Sequence, residues 1–485
     1  MLYEQFLRLN SELKKDAKAD EEKLVMSEQE LIWMALDVEQ KIAIDEPAIY
    51  SNIIKNRIMS YKRMAVAKWK EERQAERDKE LASSAAKTGG RPVLGPPKVI
   101  KTGLTADQEV EFLSRLLTPI ADLAPYGYVP VMPSEQDIQK AREAEESAKG
   151  WEACDRCGTR FQVFPGRNEE DGSLASGGQC IHHPGRTYFP DKLPGDLSRV
   201  QKRWKCCKEA VGDSRGCTTA STHVFKTTDP KRLAAILPYA ETPPNPRAQT
   251  NRAVCFDCEM GYTVRGLELI RLTATSWPGG DMLLDVLVRP LGEILDLNSR
   301  YSGVWPEDIV NAVPYSTAEA EDSSSSEDGE VGRGSSTTKP MQIVSSPVVA
   351  RDLLFSLISP STPLIGHGLE NDLNAVRVVH PTLVDTILLY PHKRGLPIRH
   401  GLKMLMETLL NRAIQLETDG NNAVQGHDSA EDARAAGDLV RLKVEQEWAS
   451  LRGLGWEIVD DEFVSPRGKG DGKSGSLTEE FLERA

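Results

Sequence analysis

Ala253-Val254-Cys255-Phe256-Asp257-Cys258-Glu259-Met260 sets two acids, two positions apart, inside an otherwise apolar run. Side chains alternate along a strand, so Asp257 and Glu259 share one face while Phe256, Cys258 and Met260 take the other. Two like charges in apolar surroundings are costly, because each carboxylate must be desolvated and the two repel. A divalent cation between them removes both penalties. Taken alone, the stretch is equally explained as an edge strand with two solvated acids, so the rest of the chain has to decide.

Outward from this run, apolar patterns give further strands at Leu267 to Ser276, Met282 to Val288 and Leu364 to His367. Helices follow at Val349 to Ile358, Glu370 to Val379, Leu402 to Leu410 and Ser429 to Glu447. Three strands followed by strand–helix units predict an α/β fold, a mixed sheet covered by helices. In LIGHGLENDLNAVRVVHP, Leu364 to Pro381, Leu369, Leu373 and Val376 keep helical spacing and Asp372 falls among them near the helix start. In GHDSAEDARAAGDLV, Gly426 to Val440, Asp428 and Glu431 have the form of a helix cap with an acid three residues on. That leaves His427 and Asp432, five positions apart, as the functional candidates.

Asp257 and Glu259, then Asp372, then His427 and Asp432 resemble, in order and spacing, the DEDD superfamily of 3′ to 5′ exonucleases, in its histidine-bearing branch. The phrases FDCEMGYT, LIGHGLENDLNAV, VDTILLYPH and GHDSAEDARA are closer still to the eukaryotic RNA exonuclease group, over Ala253 to Val444. The resemblance implies an RNase H-like fold and an enzyme that releases nucleoside monophosphates from RNA 3′ ends. It also implies that Asp257, Glu259, Asp372 and Asp432 hold two Mg²⁺ or Mn²⁺ ions. Phosphodiester cleavage builds negative charge at both ends of the displacement, which two cations about 4 Å apart offset, and hard oxygen ligands suit those ions. By the same resemblance His427 takes a proton from the attacking water, its ordinary pKa of about 6.5 suiting that task, and Met260 contacts the terminal nucleotide. Gly368 stands where relatives often carry Ala. Two rival readings remain: a DNA-directed exonuclease, since the same acids cut either backbone, and a protein adaptor with a vestigial nuclease fold.

Upstream, Cys154, Cys157, Cys180, His183, Cys206, Cys207, Cys217 and His223 divide in chain order into two Cys3His sets, each suited to a closed structural Zn²⁺ site. So short a segment, rich in Gly and charge, gains from metal the stability its core lacks. The ligand plan resembles the CHORD zinc module of chaperone-associated adaptors, with His182 as the alternative to His183. Lys202, Arg203, Lys205 and Lys208 crowd the second Cys pair with Trp204 among them, a cluster suited to RNA backbone and base, or to a protein partner. Cys255 and Cys258 face opposite sides of their strand and make a poor metal pair. His367, His380, His392 and His400 are expected in structural or surface roles, and Arg399 and Lys403, beside a Gly-containing loop before a helix, either on a solvated helix face, the favoured reading, or at substrate phosphate.

At about 150 residues per domain, 485 residues suggest roughly two to four units. The expected division is a helical region over 1–87, linker and helices over 88–150, the Cys/His module over 151–227 and a second linker over 228–250. The exonuclease domain follows over 251–450, with an acidic Ser/Gly-rich insertion at 316–339, and a polar tail over 451–485. The region 1–87 carries a basic stretch from Lys55 to Lys70. A net charge of −13 excludes a protein that coats nucleic acid by global charge. No run approaches a membrane span and the start lacks a secretory pattern, so an intracellular, reducing location, nucleus or cytoplasm, is expected. Partners are RNA 3′ ends, and a protein at the zinc module or the N-terminal helices; no membrane is involved.

Overall fold

The computed structural model describes residues 2–16, 24–45, 50–74, 94–190, 200–316, 340–415 and 427–466. The chain forms two compact units, Met1–Gly95 and Pro96–Ala485. In the first, helices Leu2–Asp16, Glu28–Asp45 and Tyr50–Arg63, with a further one over 66–74, bury Phe6, Leu9, Leu13, Leu31 and Trp69. The Phe6 and Trp69 rings stack at 5.5 Å. Ser27 and Glu30 cap the second helix reciprocally, each side chain taking the other's backbone N–H. The helical region is expected to run to residue 87, and its part from 75 onward lies outside the described residues.

The second unit is built on an eight-stranded mixed sheet. Its strands are β1 (Ala253–Thr263), β2 (Gly266–Trp277), β3 (Met282–Val288), β4 (Ile294–Asp296), β5 (Val313–Pro314), β6 (Gln342–Val344), β7 (Leu364–Gly366) and β8 (Leu383–Asp385). They lie in the order β5-β6-β3-β2-β1-β7-β8, with β4 on the far end of β1. The β1–β2–β3 meander is antiparallel, and β7 and β8 add in parallel beside β1. Helices α1 (Ala106–Phe112), α2 (Pro347–Leu357), α3 (Leu369–Val376), α4 (Leu402–Leu410) and α5 (Ser429–Gly453) complete the layers. α2 and α3 pack Ala350, Leu354, Leu369 and Leu373 against Val254, Phe256 and Cys258 on one face. On the other, α5 and α1 pack Ala433, Ala436, Val440 and Phe112 against Ala253 and Cys255. This is the expected mixed sheet flanked by helices.

The long helix comes close to the sheet at Gly437. A Cβ there would stand 2.9 Å from both Cys255 Sγ and Trp277 Cδ1. The Trp277 indole N–H donates to the Gly437 carbonyl at 3.0 Å, so the close approach also satisfies a buried donor.

The stretch expected as linker and helices, 88–150, joins this packing in its described part, as does the second expected linker, 228–250. Phe112, Leu113 and Leu116 lie in the core beneath α5, and the Tyr128 hydroxyl donates to Asp385 at 2.7 Å. Leu233, Ala234 and Tyr239 pack with Ile138 and Val379, and strand Ala240–Glu241 pairs in parallel with Val378–Val379. Within the second expected linker, the Pro-rich stretch Glu241 to Arg247 is tied down where the Asn245 amide donates to the Phe355 and Ser356 carbonyls. Its breaker residues mark turns rather than freedom. The expected tail begins too early as well: Trp456 and Phe463 are buried with Phe112 and Trp448 on the hairpin that follows α5. The insertion from 317 to 339 and the tail from 467 lie outside the described residues.

Candidate active site

β1 runs through the middle of the sheet, so its alternation decides what each face receives. Phe256 and Cys258 go to the α2/α3 side and Cys255 to the α5 side, which separates Cys255 from Cys258. Asp257 and Glu259 point where α5 begins. The Ser429 hydroxyl, buried in the first turn of that helix, donates to Glu259 at 3.1 Å. Asp372 approaches from the first turn of α3 and accepts the Cys258 backbone N–H at 3.0 Å. Asp432, one turn into α5, accepts from the Gln415 side-chain amide at 2.8 Å. Its other oxygen, Oδ1, is buried without a hydrogen-bond partner.

The electrostatics follow from this crowding. Burial first, and then the Asp432 charge, hold the Asp257 carboxyl well above the usual range. Burial and the Asp257 charge do the same to Asp372. Glu259 is pushed up to about 10 by burial and by Asp257, and Asp432 to about 7, chiefly by burial. Arg271 offsets only part of this for Asp257 and Glu259, being itself held by Asp285 through two 2.8 Å bonds. Four acids that disfavour their own ionisation, with one oxygen left unpartnered, fit a divalent cation with a preference for hard oxygen ligands.

His427 enters the same cluster. Its Nδ1 lies 3.6 Å from Asp432 Oδ2, and its backbone N–H donates to the Tyr301 carbonyl at 3.1 Å. Burial, with the Lys403 charge, lowers its pKa from 6.5. Lys403 therefore acts inside the site instead of on a solvated face, and its ammonium donates to the Gln415 carbonyl at 2.9 Å. Arg399 is likewise engaged, paired with Glu370 and donating to the Tyr126 carbonyl. Asp428 caps α5 by accepting from the Ala430 N–H at 3.1 Å, and Glu431 accepts from the Gln415 N–H at 3.0 Å.

Ser429 and Gln415 are the neighbours of the acids that sequence reasoning missed, while Lys403 is named there but assigned to a solvated face. Ser429 had a usable signal, since it precedes Asp432 by three residues and so shares its helix face. Of the four discounted histidines, His367 bonds Thr386 at 2.8 Å and His380 bonds Thr362 at 2.7 Å. His392 and His400 sit ring to ring at 4.8 Å.

The Cys/His module brings its eight residues into two clusters, but not in chain order. Cys154, Cys157, Cys180 and His223 form one, and His183, Cys206, Cys207 and Cys217 the other, with ligand atoms within 4.8 Å of one another in each. The two histidines are thus exchanged relative to the expected sets. The reason is a long-range strand pair: Cys180–His182 runs antiparallel to Thr218–Ala220, with Cys180 opposite Ala220 and His182 opposite Thr218. Cys217 is thereby set beside His183, and the chain beyond Ala220 returns His223 to Cys180. His182 stands 3.8 Å from Cys180 through Nδ1 and belongs to neither set. Three sulfurs and an imidazole are donors that fit Zn²⁺ in each case.

The module is docked against the sheet. Arg156 pairs with Asp296 at 2.6 Å and Arg167 with Glu293 at 2.7 Å, while Val264 and Leu295 pack on the Cys154–Phe161–Phe225 cluster.

Residues 1–82 match a family model described as the RNA exonuclease 3 N-terminal domain. The chain is 48% identical over 462 residues to RNA exonuclease 3 of Emericella nidulans, covering 94% of this chain and 70% of that one. It is 33% identical over 320 residues to RNA exonuclease 3 of Eremothecium gossypii, covering 64% of this chain and 69% of that one. Among solved structures, the Neurospora crassa Pan2 catalytic unit, protease and nuclease domain, aligns at 18% identity and a TM-score of 0.32. That alignment spans 52% of this chain and 39% of the Pan2 chain.

Proposed function

This chain belongs to the RNA exonuclease 3 family and is an exonuclease, and we propose that it trims RNA from the 3′ end and releases nucleoside monophosphates. The observation that carries this is the convergence of four acids whose pKa values are raised by burial and by one another, one with an orphaned oxygen, with His427 3.6 Å from the Asp432 carboxylate. Asp257, Glu259, Asp372 and Asp432 would hold two divalent cations, Mg²⁺ or Mn²⁺, which offset the charge that builds on the phosphoryl and leaving oxygens. With Nδ1 of His427 turned to Asp432, Nε2 is left to accept the proton of the attacking water. Met260 would meet the terminal nucleotide; it lines a cavity of about 480 Å³ together with Asn371, Lys226 and Arg399. A 3′-labelled RNA and its DNA counterpart, incubated with and without Mg²⁺, test the reading. Release of labelled mononucleotide from RNA, dependent on the metal, is expected; faster release from DNA would transfer the assignment to a deoxyribonuclease.

Each Cys3His cluster would hold one structural Zn²⁺. Elemental analysis should return two zinc ions per chain for the parent and one for His223→Ala. Combining His223→Ala with Cys157→Ala should remove no more, whereas combining it with Cys206→Ala should remove both. Additive loss from the first pair would restore the chain-order sets.

Lys202, Arg203, Lys205 and Lys208 would contact RNA phosphates. Replacing all four by Ala should weaken binding and flatten its salt dependence, each lost phosphate contact reducing the slope by about 0.7 for a single strand. Turnover at saturating RNA should stay the same, because these residues lie outside the acid cluster. An unchanged salt slope would remove the cluster from the RNA path.

A further inference from the structure

We propose that the two-stranded ribbon of Thr187–Tyr188 and Arg203–Trp204 is a stacking platform for an unpaired base of the RNA, with Phe189 as the ring that receives it. The proposal rests on the exoribonuclease reading and adds a second point of RNA contact outside the catalytic cluster.

The sequence points to Trp204 as the base-stacking ring of this segment, and the geometry reassigns that role. Trp204 lies flat against the His183 imidazole, ring centroids 4.4 Å apart and planes inclined by 11°. One face of the indole is therefore taken by a member of the second Cys3His cluster. Its neighbour across the ribbon is different. The register sets Thr187 opposite Trp204 and Tyr188 opposite Arg203, and the next residue, Phe189, is 65% exposed. A phenylalanine left that open adds little to the module core, and its exposure costs hydrophobic burial that a partner would recover.

The charge around that ring selects the partner. Lys202 Nζ stands 6.0 Å from the Phe189 ring centroid, and Lys208 Nζ 5.4 Å from that of Tyr188. Arg203 donates to the Lys208 carbonyl at 2.7 Å, which fixes the turn carrying Lys208 at φ 65°. A lysine there holds a left-handed conformation that Gly or Asn would adopt more cheaply, so the position retains an ammonium at some conformational cost. Lys205 adds a further cation in the turn that follows the strand, its backbone N–H donating to the Arg186 carbonyl at 2.9 Å. From Val200 to Lys208 the sequence carries no acid, in a chain whose net charge is −13. Glu209, the next residue, already accepts the Ser214 hydroxyl at 2.6 Å.

Open aromatic rings flanked by ammonium groups match a chain that alternates flat bases with phosphates. A base stacks on a ring only if its own face is free, as it is in a single strand. A duplex, whose base faces are covered by neighbouring pairs, would meet only the charge. The platform therefore favours single-stranded RNA, through stacking that adds to the salt-dependent contacts of the lysines.

The test uses the full-length, zinc-loaded chain carrying Asp257→Asn to stop turnover, and follows anisotropy of a labelled single-stranded RNA and of a blunt duplex of the same sequence. Phe189→Ala should weaken single-strand binding about 5- to 100-fold, leave duplex binding alone and leave the salt slope as it was. Phe189→Trp should restore single-strand affinity to within about twofold, since any large ring can stack. Single-strand binding by Phe189→Ala equal to that of the parent would overturn the proposal, as would an equal loss for both RNAs. Should the chain with Asp257 intact leave RNA uncut, the exoribonuclease reading falls by itself, a result distinct from any effect of Phe189.

Discussion

Asp257→Asn is expected to bring exonuclease activity below detection while leaving the fold in place. The substitution keeps the shape of the side chain and removes the charge that would hold a divalent cation. The charges around it make the prediction sharper than loss of activity alone. Asp257 is held above its ordinary pKa by burial and by Asp432, so without metal the native state binds this proton more tightly than the unfolded chain does. Stability from this group is then full below the unfolded value of about 3.9 and falls as pH rises toward the raised native value. Asn carries no such dependence. In chelator at neutral pH, Asp257→Asn should therefore unfold at a temperature equal to or above that of the parent. Addition of Mn²⁺ should raise the melting temperature of the parent and leave the variant nearly unmoved. Thermal unfolding with and without chelator reads both effects; wild-type activity in the variant would remove Asp257 from the site.

The sequence reached the chemistry of this protein more readily than its connectivity, and particular residues show why. Asp257 and Glu259 were legible because a strand period of two is fixed, and two acids in phase within an apolar run have few explanations. Asp432 was separable from the capping acids because Asp428 and Glu431 have a local task that Asp432 does not. Ser429 and Gln415 carry no charge to draw notice, and their contacts with Glu259 and Asp432 span 170 and 17 residues. The exchanged histidines of the Cys/His module depend on the pairing of Cys180–His182 with Thr218–Ala220, a register that ligand spacing along the chain does not encode. Breaker-rich segments read as linkers because Pro and Gly report turns and say nothing of burial. Phe112, Leu116 and Tyr128 then supply enough apolar surface to dock such a segment. The same holds past α5, where Trp456 and Phe463 anchor an otherwise polar hairpin.

His427→Ala should slow cleavage by about 10²- to 10⁴-fold, the range lost with a general base, while metal affinity stays close to that of the parent. The imidazole reaches Asp432 only at 3.6 Å, longer than a hydrogen bond, and about a third of its side chain is open to solvent. Both features suit a group that meets water beside the acids better than one buried as a ligand among them. Burial and Lys403 lower its pKa from 6.5, so near neutral pH the ring is unprotonated and able to accept a proton. With metal saturating, the parent rate should rise with pH to a plateau, through a midpoint below the ordinary imidazole value, and His427→Ala should lack that step. Single-turnover rates across pH read the base, and calorimetric titration with Mn²⁺ reads the metal. A loss of Mn²⁺ affinity as large as the loss in rate would make His427 a ligand, and the proton would then have to leave through another group.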